Sequence, residues 1–203
     1  MYEEEKWRDV PAEVANKIIE IVREAGGKYP KLTDAAMAKE YPLPFYENSP
    51  LIRVTDSGWS DSNQPLYFLI EGDELYPLDG QSIAIREYNA KASINLTREN
   101  VIEYLRFFGF FVESDHGPFL VAESIDDPIV PVELTEPTRR VLQRELKPVT
   151  IKSETEQGQF LIEATVLFAN QLSAATFEVR PDGTVDMLES EALAADLHIR
   201  ADK

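Results

Sequence analysis

The stretch 160–168 constrains the fold more than any other. Phe160, Ile162, Ala164, Val166 and Phe168 alternate with Leu161, Glu163, Thr165 and Leu167. A period of two puts the first set on one face of a strand and the second set on the other. Both faces are largely apolar, so this strand is expected at the centre of a sheet and covered on both sides. Further strand-like runs lie near 149–155, 172–179 and 184–188, and Pro181-Asp182-Gly183 makes a hairpin turn between the last two. The last quarter of the chain therefore reads as a four-strand antiparallel meander. The acidic tail, 189–203, reads as irregular or briefly helical.

Upstream, helical and strand patterns interleave. Asp9 and Pro11 open a helix whose apolar stripe is Val14, Ile18, Ile21, Val22 and Ala25, and Gly26-Gly27 stops it. A short second helix is expected over 34–40, capped by Thr33 and ended by Tyr41-Pro42-Leu43-Pro44. The polar stretch 55–65 is a loop. Strands are expected at 66–70, 75–78 and 82–88, with turns at Gly72-Asp73 and Asp79-Gly80. A central helix near 97–109 has Thr97 as its cap, Leu96 and Val101 as a hydrophobic staple, and Gly109 as its stop. Strands at 110–112 and 119–122 come next, and Thr135-Glu136-Pro137 opens a last helix to about Leu146.

Isolated helices among short hairpins argue for α+β with mostly antiparallel sheet. The expected organisation is an N-terminal helical segment, 1–50, and an α+β body, 51–203, subdivided near 131–148. No Gly-rich phosphate loop and no strict βαβ alternation point to a doubly wound nucleotide fold.

Composition narrows the chemistry. Hydrophobic residues are 43% and charged residues 28% of 203, enough to bury a core without metal or disulfide. There is no cysteine, hence no thiolate nucleophile, thiolate zinc site or structural disulfide. The net charge of −17 is spread along the chain, at −3, −4, −4 and −6 over successive quarters. A diffuse negative field repels nucleic acid and anionic lipid and steers basic partners. The N-terminus lacks the basic start and apolar run of a signal peptide, and no apolar run is long enough to span a membrane. The setting reads as cytoplasmic and bacterial in style.

Few residues suggest a site. The only histidines are His116, in a Ser-Asp-His-Gly-Pro turn, and His198. Asp115 beside His116 is a carboxylate able to orient an imidazole, although neighbours in a tight turn usually point apart. Glu71 and Asp73 cluster at one turn, and Asp126-Asp127 precedes Pro128. Carboxylates that converge can hydrolyse glycosides or hold a hard cation. The stretch 56–63 fails the EF-hand pattern: counting from Asp61, Leu66 stands where glycine is required and Gly72 where glutamate is required. Gly80-Gln81-Ser82-Ile83-Ala84 approximates a nucleophile elbow, but the strand expected after Ser82 removes the required helix.

Trp59 sits in the polar loop, either as a plug for the core or as an exposed anchor for a partner. Trp7 reads as docking the first helix. Arg140, Arg144 and Lys147 share one helix face, suited to internal carboxylates or to an anionic partner. Together these features read as a non-catalytic binding or regulatory module with no cofactor. It engages a basic protein partner through an acidic surface, with a homodimer as a further expectation. The competing reading is a carboxylate-based hydrolase using Mg²⁺ or Ca²⁺.

Overall fold

A computed structural model describes residues 2–60, 64–72, 74–114, 117–131 and 133–197. Its first half contains β1 (Arg8–Asp9), α1 (Ala12–Glu24), β2 (Ala36–Tyr41), β3 (Leu51–Asp56), β4 (Leu66–Glu71), β5 (Glu74–Pro77) and α2 (Ser82–Lys91). The second half contains α3 (Val101–Phe111), β6 (Glu113–Ser114), β7 (Gly117–Pro118), β8 (Leu120–Val121) and α4 (Glu136–Glu145). It ends with β9 (Thr150–Glu154), β10 (Phe160–Phe168), β11 (Gln171–Val179) and β12 (Val185–Ala194). The strand pairs are antiparallel and the fold is α+β, with the C-terminal meander β9–β12 in place.

The first sheet has the order β1-β2-β3-β4-β5. Period-two alternation gives it two apolar faces. Ala38, Ile52, Val54 and Phe68 meet Ile18, Ile19 and Val22 of α1, while Tyr41, Leu51, Leu69 and Tyr76 enter the central core. Fully burying an aliphatic side chain such as Ile18 is worth about 1.5–3 kcal/mol. Of the stripe expected from sequence only Ile18 and Val22 are buried; Val14 is 41% exposed and Ala25 is exposed, and Ile19 takes their place against the sheet. The central core continues through α2 and α3 to Phe160, Ile162, Val166, Phe177 and Val179 on the inner face of the second sheet. In that sheet β10 pairs with β11 on one side and with β9 and β8 on the other. Its outer face is covered only at one end, where Leu167 and Leu172 pack with Leu142 of α4.

Several expected elements differ. The helix expected over 34–40 is instead a turn at 34–35 followed by the strand β2. β2 pairs with β3 over its whole length, from Ala36↔Asp56 to Tyr41↔Leu51. Ala-Met-Ala-Lys-Glu has good helix propensity, but a helix this short is unstable alone, and sheet pairing overrides it. This ladder also ties residues before 50 to those after it. The segment 82–88 is helix, not strand. Ile85, Tyr88 and Asn89 are its buried residues, at helical spacing, while Ile83 is 60% exposed. Ile83 and Ile85 merely mimic a period of two.

α3 begins at Val101 rather than at Thr97. The Thr97 carbonyl accepts from the Val101 amide at 2.9 Å, and buried Asn100 accepts from the Thr97 amide at 2.8 Å and donates to the Pro44 and Asn95 carbonyls. α3 also runs through Phe111, so 110–111 is not strand and Gly109 is not its stop. Gly109 is needed for contact, since a Cβ there would lie 2.3 Å from the Phe119 carbonyl oxygen. Trp7 is buried in the central core, across the first sheet from α1, with the Arg53 guanidinium 4.2 Å from its ring centre. Finally, β12 extends through Ala194, so 189–194 is strand rather than irregular tail.

Candidate functional site

The carboxylates singled out in the sequence do not form a cluster among the described residues. Asp73, Asp115, His116 and His198 lie outside the described residues. Glu71 is exposed and faces Glu74 across the β4–β5 hairpin. Glu74 is itself engaged by Lys91 and by the Tyr76 hydroxyl. Asp126 is exposed in the loop after β8. Asp127 is half-buried and accepts from the amides of Glu123 and Ile129, each at 3.4 Å, with Arg106 Nη2 3.8 Å away. Glu123 binds Arg106 and accepts from the Val149 amide at 2.6 Å. These groups brace α3, the loop and the start of β9 against one another. Among the described residues, no three His, Cys, Asp or Glu side chains are placed to hold a metal.

Most of the other candidates are accounted for by local contacts. Trp59 is half-buried against the α1 side of the first sheet, and its Nε1 donates to the Lys31 carbonyl at 3.0 Å. Asp56, at the start of the same loop, is buried and accepts from the Thr33 amide, the Thr33 hydroxyl at 2.8 Å and the Gly58 amide at 2.7 Å. Burial works to raise its carboxyl pKa, but the amides of Thr33 and Gly58, the Thr33 hydroxyl and the Arg23 charge together hold the group below its ordinary value. Ser82 opens α2, so the strand-to-helix turn denied by the sequence reading does exist. Even so, it leaves the edge strand β5 of an antiparallel sheet. On α4, Arg144 Nε donates to Glu145 at 2.5 Å and Arg140 is exposed.

The feature that stands out is a groove of about 740 Å³ on the outer face of the second sheet. α4 ends at Glu145, and Lys147-Pro148 lead away into β9, leaving the middle of this face uncovered. Strand register builds it in rungs. Thr150, Glu163, Thr176 and Glu189 align across four strands, and Thr165, Ala174 and Glu191 align across three. Small side chains, Ala174, Thr165 and Thr176, make the floor, which is why a depression exists at all.

Charge on the rim is asymmetric. Glu163 is paired with Lys152 at 3.0 Å. Glu189 and Glu191 are exposed and have no ion-pair or hydrogen-bond partner among the described residues. At the hairpin end, Arg180 bonds Glu178 and Asp186, both at 2.8 Å. Two exposed carboxylates two residues apart therefore share one strand face.

A buried polar network holds the hairpin that carries this strand. The Tyr46 hydroxyl donates to Asn89 Oδ1 at 2.5 Å, and Asn89 Nδ2 donates to the Tyr104 hydroxyl at 3.0 Å and the Asp182 carbonyl at 3.1 Å. The Tyr104 hydroxyl donates to the Gly183 carbonyl at 2.6 Å. Burial pushes both tyrosine hydroxyls well above their ordinary pKa, so they remain neutral donors.

Sequence reasoning missed Glu163, Glu189 and Glu191. The i, i+2 spacing of Glu189 and Glu191 was a usable signal, but only in a strand, and the tail was read as irregular. Comparisons with known protein families, with curated proteins and with solved structures give no match.

Proposed function

We propose that this protein is a non-catalytic binding or regulatory module that engages a basic protein partner through its acidic surface. The observation that carries the reading is the groove on the second sheet, rimmed by Glu189 and Glu191, neither of them in an ion pair among the described residues, with Lys147 as the one cation besides Lys152 near its lining. The chain's −17 charge supports it, because a field of one sign raises the encounter rate with partners of the other. A cysteine-free core suits a reducing cytoplasm. No helix among the described residues is long and apolar enough to cross a membrane. The hydrolase reading gains no comparable support, since Asp127 is occupied by backbone amides and Arg106, and Asp126 is exposed.

The test is fluorescence anisotropy with labelled cationic, neutral and anionic peptides of matched length. Titrations at about 50 mM and about 500 mM salt span the range over which surface charge becomes screened. Cationic peptides should bind at low salt and be released at high salt. Equal binding of all three, or binding of none, would sink the reading.

A further inference from the structure

We propose that the outer edge of β12 accepts an added strand from the partner: an extended basic segment whose lysine or arginine side chains lie over the groove against Glu189 and Glu191. The proposal rests on the acidic-surface reading above and specifies how the partner is held.

β12 is ten residues long and, among the described residues, pairs on one side only, with β11. Its outer edge therefore presents a row of main-chain N–H and C=O groups without ladder partners. The opposite edge of the sheet is shorter and broken, shared between the five-residue β9, which carries Lys152, and the two-residue β8. Edges are commonly protected by lysine, proline or covering loops. β12 reads Val-Asp-Met-Leu-Glu-Ser-Glu-Ala-Leu-Ala and contains neither lysine nor proline. Met187 and Leu188 are 38% and 52% exposed, which gives an incoming strand apolar surface to cover.

Register locates the usable template. β12 is irregular against β11 between Met187 and Glu189 and again between Ala192 and Ala194. Between these shifts, 189–192 pairs regularly with 173–176. This regular stretch carries both unpaired carboxylates on the groove face and Ser190 and Ala192 on the opposite face. A strand laid along it places every second side chain over the groove. Main-chain bonds would supply the docking, and the alternate cations would supply the selectivity.

Charge decides the occupant. A second copy of this chain would set Asp186, Glu189 and Glu191 against another strand bearing the same acids, on a body that also carries −17. Like charges directly opposite across strands are destabilising. A basic strand converts the same residues into attraction.

The experiment uses the full chain and a synthetic peptide alternating lysine with threonine. Two N-methylated versions are made, one blocking the odd amides and one the even. A strand on an edge turns only alternate amides toward its neighbour. Strand addition therefore predicts that one methylated peptide loses about tenfold or more in affinity while the other keeps its own. The charge-reversed variant E189K/E191K, checked for an unchanged urea midpoint, should also lose about tenfold or more.

If cationic peptides bind and are released by salt, but the two methylated forms bind alike, strand addition is overturned while the acidic-surface reading stands. If no cationic peptide binds, both fall. If the wild-type chain sediments as a dimer that excludes the peptide, the edge belongs to a second copy and the basic partner is overturned as its occupant.

Discussion

Two hairpins in the second sheet close with the same turn, and that repetition isolates one tertiary contact. In the β9–β10 turn the Gly158 amide donates to the Thr155 carbonyl and the Thr155 amide to the Gln159 carbonyl, both at 2.9 Å. In the β11–β12 turn the Gly183 amide donates to the Arg180 carbonyl and the Arg180 amide to the Thr184 carbonyl, again at 2.9 Å. The two glycines have φ of +76° and +79°. An alanine at either position meets the same left-handed penalty, about 1–2 kcal/mol. Their surroundings differ. A Cβ on Gly158 would meet only Pro181 Cγ, at an ordinary 3.5 Å, whereas a Cβ on Gly183 would lie 2.1 Å from Asn89 Nδ2 and 2.5 Å from the Tyr104 hydroxyl. Neither neighbour can retreat without giving up its bonds to the Asp182 and Gly183 carbonyls.

Overpacking costs about 1–3 kcal/mol and each lost hydrogen bond about 1 kcal/mol more. Gly183→Ala should therefore cost about 3 kcal/mol more than Gly158→Ala. For a chain of this size that difference corresponds to about 6–12 °C in Tm. Urea midpoints and thermal melts followed by circular dichroism measure both variants side by side. Equal losses would refute the claim that the Asn89–Tyr104 network grips this hairpin. A larger loss at Gly158 would reverse it.

Other substitutions probe the same framework. Asn89→Ala should destabilise by about 3 kcal/mol in urea titrations, because it strands the buried Tyr46 hydroxyl and removes donors from Tyr104 and Asp182. Combined with Tyr46→Phe it should cost clearly less than the two single losses added, and strict additivity would argue against a shared network. Gly109→Ala should cost about 1–3 kcal/mol by driving α3 away from the Phe119 carbonyl, and a neutral result in the same assay would contradict that contact. Asp56 offers a pH test. Its folded pKa lies below the ordinary value of 3.8, so its contribution is complete above that value and fades as the pH falls through the folded pKa. Asp56→Asn should trail the wild type in urea midpoint near neutrality, and the gap should close on acidification below 3.8. A gap that widens in acid would mean the amide bonds of Thr33 and Gly58 do not favour the carboxylate.

Local signals were read correctly where a few neighbouring residues suffice to fix a conformation. The Thr135 hydroxyl accepts from the Thr138 amide at 3.3 Å and caps α4, as Thr-Glu-Pro implies. The hairpin of Pro181-Asp182-Gly183 arises equally from nearest-neighbour sterics. The existence of α1 was legible from its helical period, but its docking face was not: Ile19 is buried while Val14 and Ala25 are exposed. The central position of β10 was also written in its alternation, and its outer face is buried at Thr165 and Leu167. Toward the other end, at Glu163, that face lies open, because α4 stops short of it.

The groove was not legible as a site. Its residues come from 147–150, 163–165, 174–176 and 189–191, and only strand register brings Glu163, Thr176 and Glu189 onto one rung. The same division separates what sequence and tertiary structure each settled. The sequence by itself determined the α+β class, the antiparallel meander, the cysteine-free core and the negative field, because composition, period and turn chemistry act over a few residues or over the whole chain. Tertiary structure alone decided whether 36–41 pairs as a strand and whether 82–91 coils. It alone decided whether Gly109 ends a helix or admits a backbone, and which carboxylates share a face. Short segments have near-equal local preferences, and the partner across the sheet or the core tips the balance.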